Sequence, residues 1–183
     1  PLAILLAQIN SDELIGKKYE PLFPFLSDLL PVDQKSKLEN AFQVYAADFV
    51  TTTDGTGVVH IAPMYGADDF DLGSKHNLPK FHVVNEEGKY INGCDTESIK
   101  LSGRYVKEID DAGKPTLAID IINDLTERNL LFKKENYLHS YPHCWRHKTP
   151  VIYRAAAQWF IRMDDADSKG ATGGAGVFTK DKA

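Results

Sequence analysis

The densest set of residues able to do chemistry lies within fifteen positions: Gly55-Thr56-Gly57, His60, Pro63, Gly66 and the adjacent carboxylates Asp68 and Asp69. Glycines let a ligand approach the backbone closely. An imidazole on a strand and a carboxylate just past a Pro-Gly bend can converge on one pocket, there to orient a water or bind an ammonium group. The same residue types also have structural uses, a hydrogen-bonded His on a strand and an Asp capping a helix start, and spacing does not choose between the readings. A second set is His139, His143, Cys144 and His147, whose types suit zinc. Pro142 and Pro150 oppose a regular ligand-bearing helix there, and no Cys-x-x-Cys knuckle or matching half-site occurs elsewhere, so no metal is expected. Arg146 and Lys148 beside Trp145 could touch nucleic acid by charge and stacking, although core packing is the expectation for Trp145. Thr51, Thr52 and Thr53 read as strand propensity and turn bonding rather than as catalytic hydroxyls.

Short elements must position these residues. From Glu13 to Phe25 glycine and proline interrupt the apolar residues, which predicts extended chain and turns. Ala41 to Val50 has a β-branched and aromatic bias, Val58 to Ala62 reads as a short strand ended by Pro63, and a short helix is predicted to open near Asp68. Phe81 to Val84 and Tyr90-Ile91 read as strands joined by the turn Asn85 to Lys89. After Pro115 and Thr116, the residues Leu117, Ala118, Ile121, Ile122 and Leu125 share one face, with Asp120, Asn123, Asp124 and Glu127 elsewhere, so the clearest helix lies there. Gln158 to Met163 reads as a last strand, and the Gly-, Ser- and Ala-rich run from Asp164 as a flexible linker. Many short strands and few helices favour a β-rich α+β domain.

With 183 residues and 43% hydrophobic content the chain can bury one sizeable core. A formal charge of −5 opposes a domain that grips nucleic acid mainly by a basic surface, so any RNA contact is local or assisted. The two cysteines are too few for a disulfide framework and point to a reduced, cytoplasmic setting. Leu2 to Ala7 is too short to span a membrane, and no membrane partner is expected. A start at Pro1 without Met reads as an excised fragment. The sequence contains no phosphate loop, dinucleotide fingerprint or Gly-x-Ser-x-Gly elbow, so neither nucleotide hydrolysis nor hydride transfer has support within it.

The stretch Asp48 to Pro63, followed by Tyr65-Gly66-Ala67-Asp68-Asp69, resembles the signature of isoleucyl-tRNA synthetase editing domains. His139 to Pro150, then Ile152-Tyr153-Arg154-Ala155 and Gln158-Trp159-Phe160, resembles the segment returning to the catalytic core of that family. The likeness runs from about Ser11 to Met163. It implies a small closed β-barrel with inserted helices over 1–163 and says nothing of 164–183, which composition alone reads as a linker. It implies hydrolysis of valyl-tRNA made for isoleucine, without a catalytic metal or cofactor. ATP and magnesium would be used by the full-length enzyme alone. By the same resemblance His60 and Asp69 are the catalytic pair, Asp69 holding the α-amino group. Gly55, Thr56, Gly57 and Asp68 bind substrate, the three loop residues approaching the terminal adenosine. The partners implied are the acceptor end of the isoleucine tRNA and the rest of the synthetase. Such a sieve answers a physical limit: valine is one methylene smaller than isoleucine, worth only ~1–3 kcal/mol in a pocket, for which this synthetase is itself the standard illustration.

The family's Thr-rich stretch is absent, so weak or no deacylation by the isolated chain is expected. The alternatives are a valyl-tRNA synthetase editing domain removing threonine, suggested by Gly73 to Pro79 but opposed by His60, a noncatalytic tRNA-docking module, and a zinc-stabilised structural module.

Overall fold

The computed structural model describes residues 9–51, 53, 56–136, 138–161 and 178–179. Gly55, Leu2 to Ala7 and all but two residues of the expected linker over 164–183 lie outside that set. Regular structure in the described residues is mainly helical: α1 (Leu26–Leu29), α2 (Val32–Lys35), α3 (Ala67–Lys75) and α4 (Leu117–Glu127), with short 3-10 turns at Ser11–Glu13 and Ser36–Asn40. The only strands among them are β1 (Phe160–Ile161) and β2 (Phe178–Thr179), two residues each, paired antiparallel with Phe160 opposite Thr179.

The expected closed β-barrel and β-rich fold class are therefore corrected. A barrel requires continuous ladders that close on themselves. In the described residues the segments expected to supply them make single bridges instead, Lys18 to Gln43, Val84 to Tyr90, Lys89 to Tyr105 and His143 to Pro150 among them. Nor do those segments show the one-sided burial that holds a strand in register. Consecutive Val58 and Val59 are 66% and 53% exposed, so no inward face is formed where a core strand was expected.

The core forms around α4 and the turns that precede it. Cys94, Ile99, Leu101 and Leu117 are buried together, with Phe23, Phe25, Leu29, Val83, Tyr90, Ile91 and Ile121 packed against them. Leu117 and Ile121 are successive positions on the apolar stripe of α4, which explains why this helix carries the core. Asp124, a turn farther on, is also buried; its Oδ2 accepts from Arg128 Nε at 3.0 Å and Nη2 at 2.7 Å. Arg128 Nη1 then donates to the Leu22 carbonyl at 3.0 Å, fastening the end of α4 to the N-terminal segment.

Asp95 organises the turn that delivers Ile99 and Leu101 to this core. Its Oδ1 accepts from the amides of Leu101 and Ser102, both at 2.9 Å. These bonds, with the backbone of Ser102 foremost, hold the Asp95 carboxyl below its ordinary range.

Candidate functional site

The segment from Thr56 to Asp69 is built around a bend. Thr56 Oγ1 donates to the Val58 carbonyl at 3.1 Å and accepts from the Val58 amide at 3.3 Å, a local turn that occupies this hydroxyl. His60 is exposed and lies in chain without regular secondary structure. At Ala62 the chain turns, the Tyr65 amide donating to the Ala62 carbonyl at 2.8 Å, and α3 starts one residue after Gly66.

Asp69 locks that bend. Its Oδ1 accepts from the Ala62 amide at 2.7 Å, joining the first turn of α3 to the chain before the bend. Its Oδ2 lies so close to Gly66 that a Cβ there would collide with it. Pro63 packs against the far end of the same helix, where a Cβ on Gly73 would stand 2.8 Å from Pro63 Cβ. Gly66, Asp69, Pro63 and Gly73 are thus explained as parts of one corner. Asp68, the neighbouring carboxylate, is exposed in the first turn of α3, where negative charge is favourable.

Of the expected site residues, the fold brings Asp69 against Ala62 and Gly66. Among the described residues no hydrogen bond or ion pair joins His60 to Asp68 or Asp69, and Thr56 bonds within its own turn. Gly57 takes a positive φ of 74° in that turn. Gly55 lies outside the described residues.

Beneath the corner, the Tyr65 hydroxyl accepts from the Val84 amide at 2.9 Å, and the Tyr65 ring meets His82 edge-on at 5.8 Å. Burial pushes the Tyr65 hydroxyl up and the His82 imidazole down; Arg154 adds to the latter shift by repelling a protonated ring. The Met64 carbonyl accepts from the Ala155 amide at 2.8 Å, so the C-terminal segment is tied to the same corner.

The second constellation forms a tight turn. The Cys144 amide donates to the Thr149 carbonyl and the Lys148 amide to the Cys144 carbonyl, both at 2.8 Å. Cys144 Sγ lies 3.3 Å from His147 Nδ1, whereas His143 Nδ1 is 2.9 Å from the Tyr141 carbonyl, away from the thiol. The His147 and Arg146 amides lower the Cys144 thiol, in contrast to Cys94, which burial pushes up to about 11. Among the described residues no three His, Cys, Asp or Glu side chains gather as a metal would need. Trp145 is 75% exposed and carries the Arg146 guanidinium 4.7 Å above its ring, which corrects the expectation that it packs in the core. Lys107 Nζ similarly sits 4.2 Å over the Tyr141 ring.

Sequence reasoning missed a third place. An open cavity of about 310 Å³ lies against α4, lined by Asp120, Asn123, Asp124 and Glu127 on the helix and by Ser98, Lys100 and Arg104 beside it. The signal for it was the carboxylate spacing on α4, in which Asp120, Asp124 and Glu127 follow one another at helical intervals and share a face.

Comparison with known proteins gives a consistent relationship. The chain is 40% identical over 165 residues to the isoleucine–tRNA ligase of Clostridium acetobutylicum, covering 90% of this chain and 14% of that protein. It is 39% identical over 155 residues to the isoleucine–tRNA ligase of Methanococcus maripaludis, covering 85% of this chain and 13% of the relative. The corresponding ligase of a Wolbachia symbiont of Brugia malayi is 38% identical over 156 residues. No protein-family model matches the chain. The chain therefore spans about one seventh of the length of these relatives, and what it is similar to is a segment of them. The expectation of an editing domain that hydrolyses valyl-tRNA, and its valyl-synthetase alternative, are corrected. Both rested on sequence motifs and imply a β-barrel, whereas the described fold is mainly helical with only the two-residue pair β1–β2.

Proposed function

We propose that this chain is a segment of an isoleucine–tRNA ligase and serves there in handling tRNA rather than in carrying a chemical step. The observation that supports this most directly is the 40% identity over 90% of the chain to such a ligase. Adenylate and ester chemistry, with its ATP and magnesium, belongs in this reading to the rest of the ligase, and the setting is the cytoplasm.

The RNA-facing elements are the two exposed turns. Trp145, with Arg146 over one face, offers a platform for a base outside a helix, and Lys148 in the same turn supplies positive charge for a phosphate. Thr56, Gly57, His60 and Asp68 form the second contact, toward the acceptor end. Gly57 permits close approach, and His60 and Asp68 present exposed polar groups. Asp69 acts here as a positioning residue, holding the bend that follows His60. A net charge of −5 means that the contact is local and that the ligase supplies most of the phosphate neutralisation.

The test is the affinity of the full ligase for its isoleucine tRNA, followed by fluorescence anisotropy with the variants Trp145→Ala and His60→Ala in this segment. Loss of stacking at Trp145 is expected to cost ~1–3 kcal/mol. The salt dependence should change little, because an aromatic ring neutralises no phosphate. Wild-type affinity in both variants would remove these turns from the RNA surface and leave the segment a spacer within the ligase.

A further inference from the structure

We infer that Asn92 and Gly93 form a self-modifying site, at which Asn92 deamidates through a succinimide and the isoaspartate so formed loosens the core beside it. Of the chain's asparagines only Asn92 precedes a glycine. Both residues are exposed at the tip of a turn. Among the described residues the Asn92 side chain and the Gly93 amide take part in no hydrogen bond, so the carboxamide and the nitrogen that attacks it are both unengaged. Other asparagines are held. Asn85 Oδ1 accepts from the amides of Glu87 and Lys89, both at 3.0 Å, Asn10 Oδ1 accepts from the Asp12 amide at 3.3 Å, and Asn40 Nδ2 donates to the Asn77 carbonyl at 3.4 Å. Each is also followed by a residue whose Cβ crowds the attacking nitrogen.

The fold itself requires the reactive neighbour. Gly93 has a φ of 93°, in the left-handed region, and a Cβ there would stand 2.7 Å from Leu29 Cδ2. Only the residue that leaves the nitrogen unhindered fits. In the reaction, hydroxide takes the proton of the Gly93 amide and the nitrogen attacks Asn92 Cγ. The Cγ–Nδ2 bond breaks, the leaving nitrogen takes a proton from water and departs as ammonia, and the succinimide ring is closed. Water then opens the ring at either carbonyl, giving aspartate, or isoaspartate in which the main chain runs through Cβ and Cγ. The flanks of the turn cannot absorb that longer path. The Ile91 amide donates to the Val83 carbonyl at 3.0 Å and its side chain packs on the core, while Cys94 is fully buried within it. An added backbone carbon between them displaces Cys94 or breaks the Ile91 bond, and a close-packed interior registers either change.

The experiment ages the full chain in mildly alkaline buffer, natively and in guanidinium chloride, and follows each asparagine by mass spectrometry of its peptide. Isoaspartate is scored by carboxyl methylation with an isoaspartyl-directed methyltransferase and S-adenosylmethionine. In the native chain the Asn92 peptide should change from amide to acid, with isoaspartate in excess over aspartate. The other asparagines should lag by roughly ten-fold or more, since a Cβ crowds each attacking nitrogen. The rate should rise in proportion to hydroxide. The thermal midpoint of the aged chain should fall as isoaspartate accumulates. Asn92→Gln, exposed and with a side chain too long to close this ring readily, should remove both the methylation and the fall. Conversion of Asn92 only in guanidinium chloride, earlier conversion of another asparagine in the native chain, or ageing of Asn92→Gln at the wild-type rate would each overturn the site. A midpoint unmoved by isoaspartate would overturn its link to the core.

Discussion

Asp68 and Asp69 are neighbours of identical chemistry whose surroundings give them different work. Asp69 Oδ1 takes the Ala62 amide at 2.7 Å, whereas Asp68 faces solvent at the start of α3. Truncating Asp69 leaves a part-buried amide without its acceptor, which costs about 1–3 kcal/mol. Truncating Asp68 removes only a helix-terminus charge, worth ~0.3–1 kcal/mol. Asp69→Ala is therefore expected to lower the urea midpoint clearly more than Asp68→Ala. Asp69→Asn should fall between them, since an amide oxygen can still accept from Ala62. Equal losses in the two alanine variants would show that the bond to Ala62 contributes nothing beyond the helix-end charge. Spacing left the pairing of His60 with Asp69 open and only the family resemblance implies it; in the fold the carboxylate is engaged by backbone. Spacing brings two residues near one bend without fixing which atom each will bond, and a peptide amide seven residues back competes with any ligand for Asp69 Oδ1.

Among elements, α4 was legible and the barrel was misread, for one physical reason. The run Leu117, Ala118, Ile121, Ile122, Leu125 is a local period that a helix satisfies by itself, and α4 spans Leu117–Glu127. Short alternating segments such as Val58 to Ala62 need a partner strand from elsewhere in the chain, and nothing within five residues specifies it. The turn Asn85 to Lys89, being local, forms, with the Asn85 amide donating to the Lys89 carbonyl at 2.8 Å. The cavity on α4 went unread because Asp124 sits among polar neighbours and reads as solvent-facing, whereas its pair with Arg128 draws it to 5% exposure. A test of packing at this scale falls on α3. Gly73→Ala improves helix propensity by roughly 1 kcal/mol. The added methyl would stand 2.8 Å from Pro63 Cβ, and overpacking of that kind costs about 1–3 kcal/mol. The steric term is the larger, so net destabilisation on the order of 1 kcal/mol is expected in denaturant unfolding. A more stable variant would mean that Pro63 yields and that the corner is loosely packed.

At the scale of the whole molecule, three distant parts of the chain meet at His82: Tyr65 packs edge-on against it, the Ala155 amide bonds to Met64 beside it, and Arg154 Nε donates to the Val84 carbonyl at 3.3 Å. Burial, then repulsion from Arg154, lowers the His82 imidazole below its ordinary 6.5, and its Nδ1 is buried without a hydrogen-bond partner among the described residues. Above 6.5 neither the folded nor the unfolded chain protonates this ring, and it contributes no pH dependence. As pH falls below 6.5 the unfolded chain takes up a proton that the folded chain refuses, so stability declines until the lowered folded value is passed. Asp95 and Glu108 add a later stage with the opposite chemistry. Their carboxyls are held low, Asp95 by the Ser102 backbone and Glu108 by Arg104, so the stability they lend is present above their ordinary values and is lost as pH falls through the folded ones. Thermal unfolding should thus show a first decline that begins as pH falls below about 6.5 and a second below about pH 4. His82→Phe, which keeps a ring against Tyr65 but cannot titrate, is expected to flatten the first decline and leave the second intact. A wild-type midpoint unchanged between about pH 7 and 5, or a first decline that persists in His82→Phe, would mean that the junction admits the charged imidazole and that the three segments are less tightly closed around it.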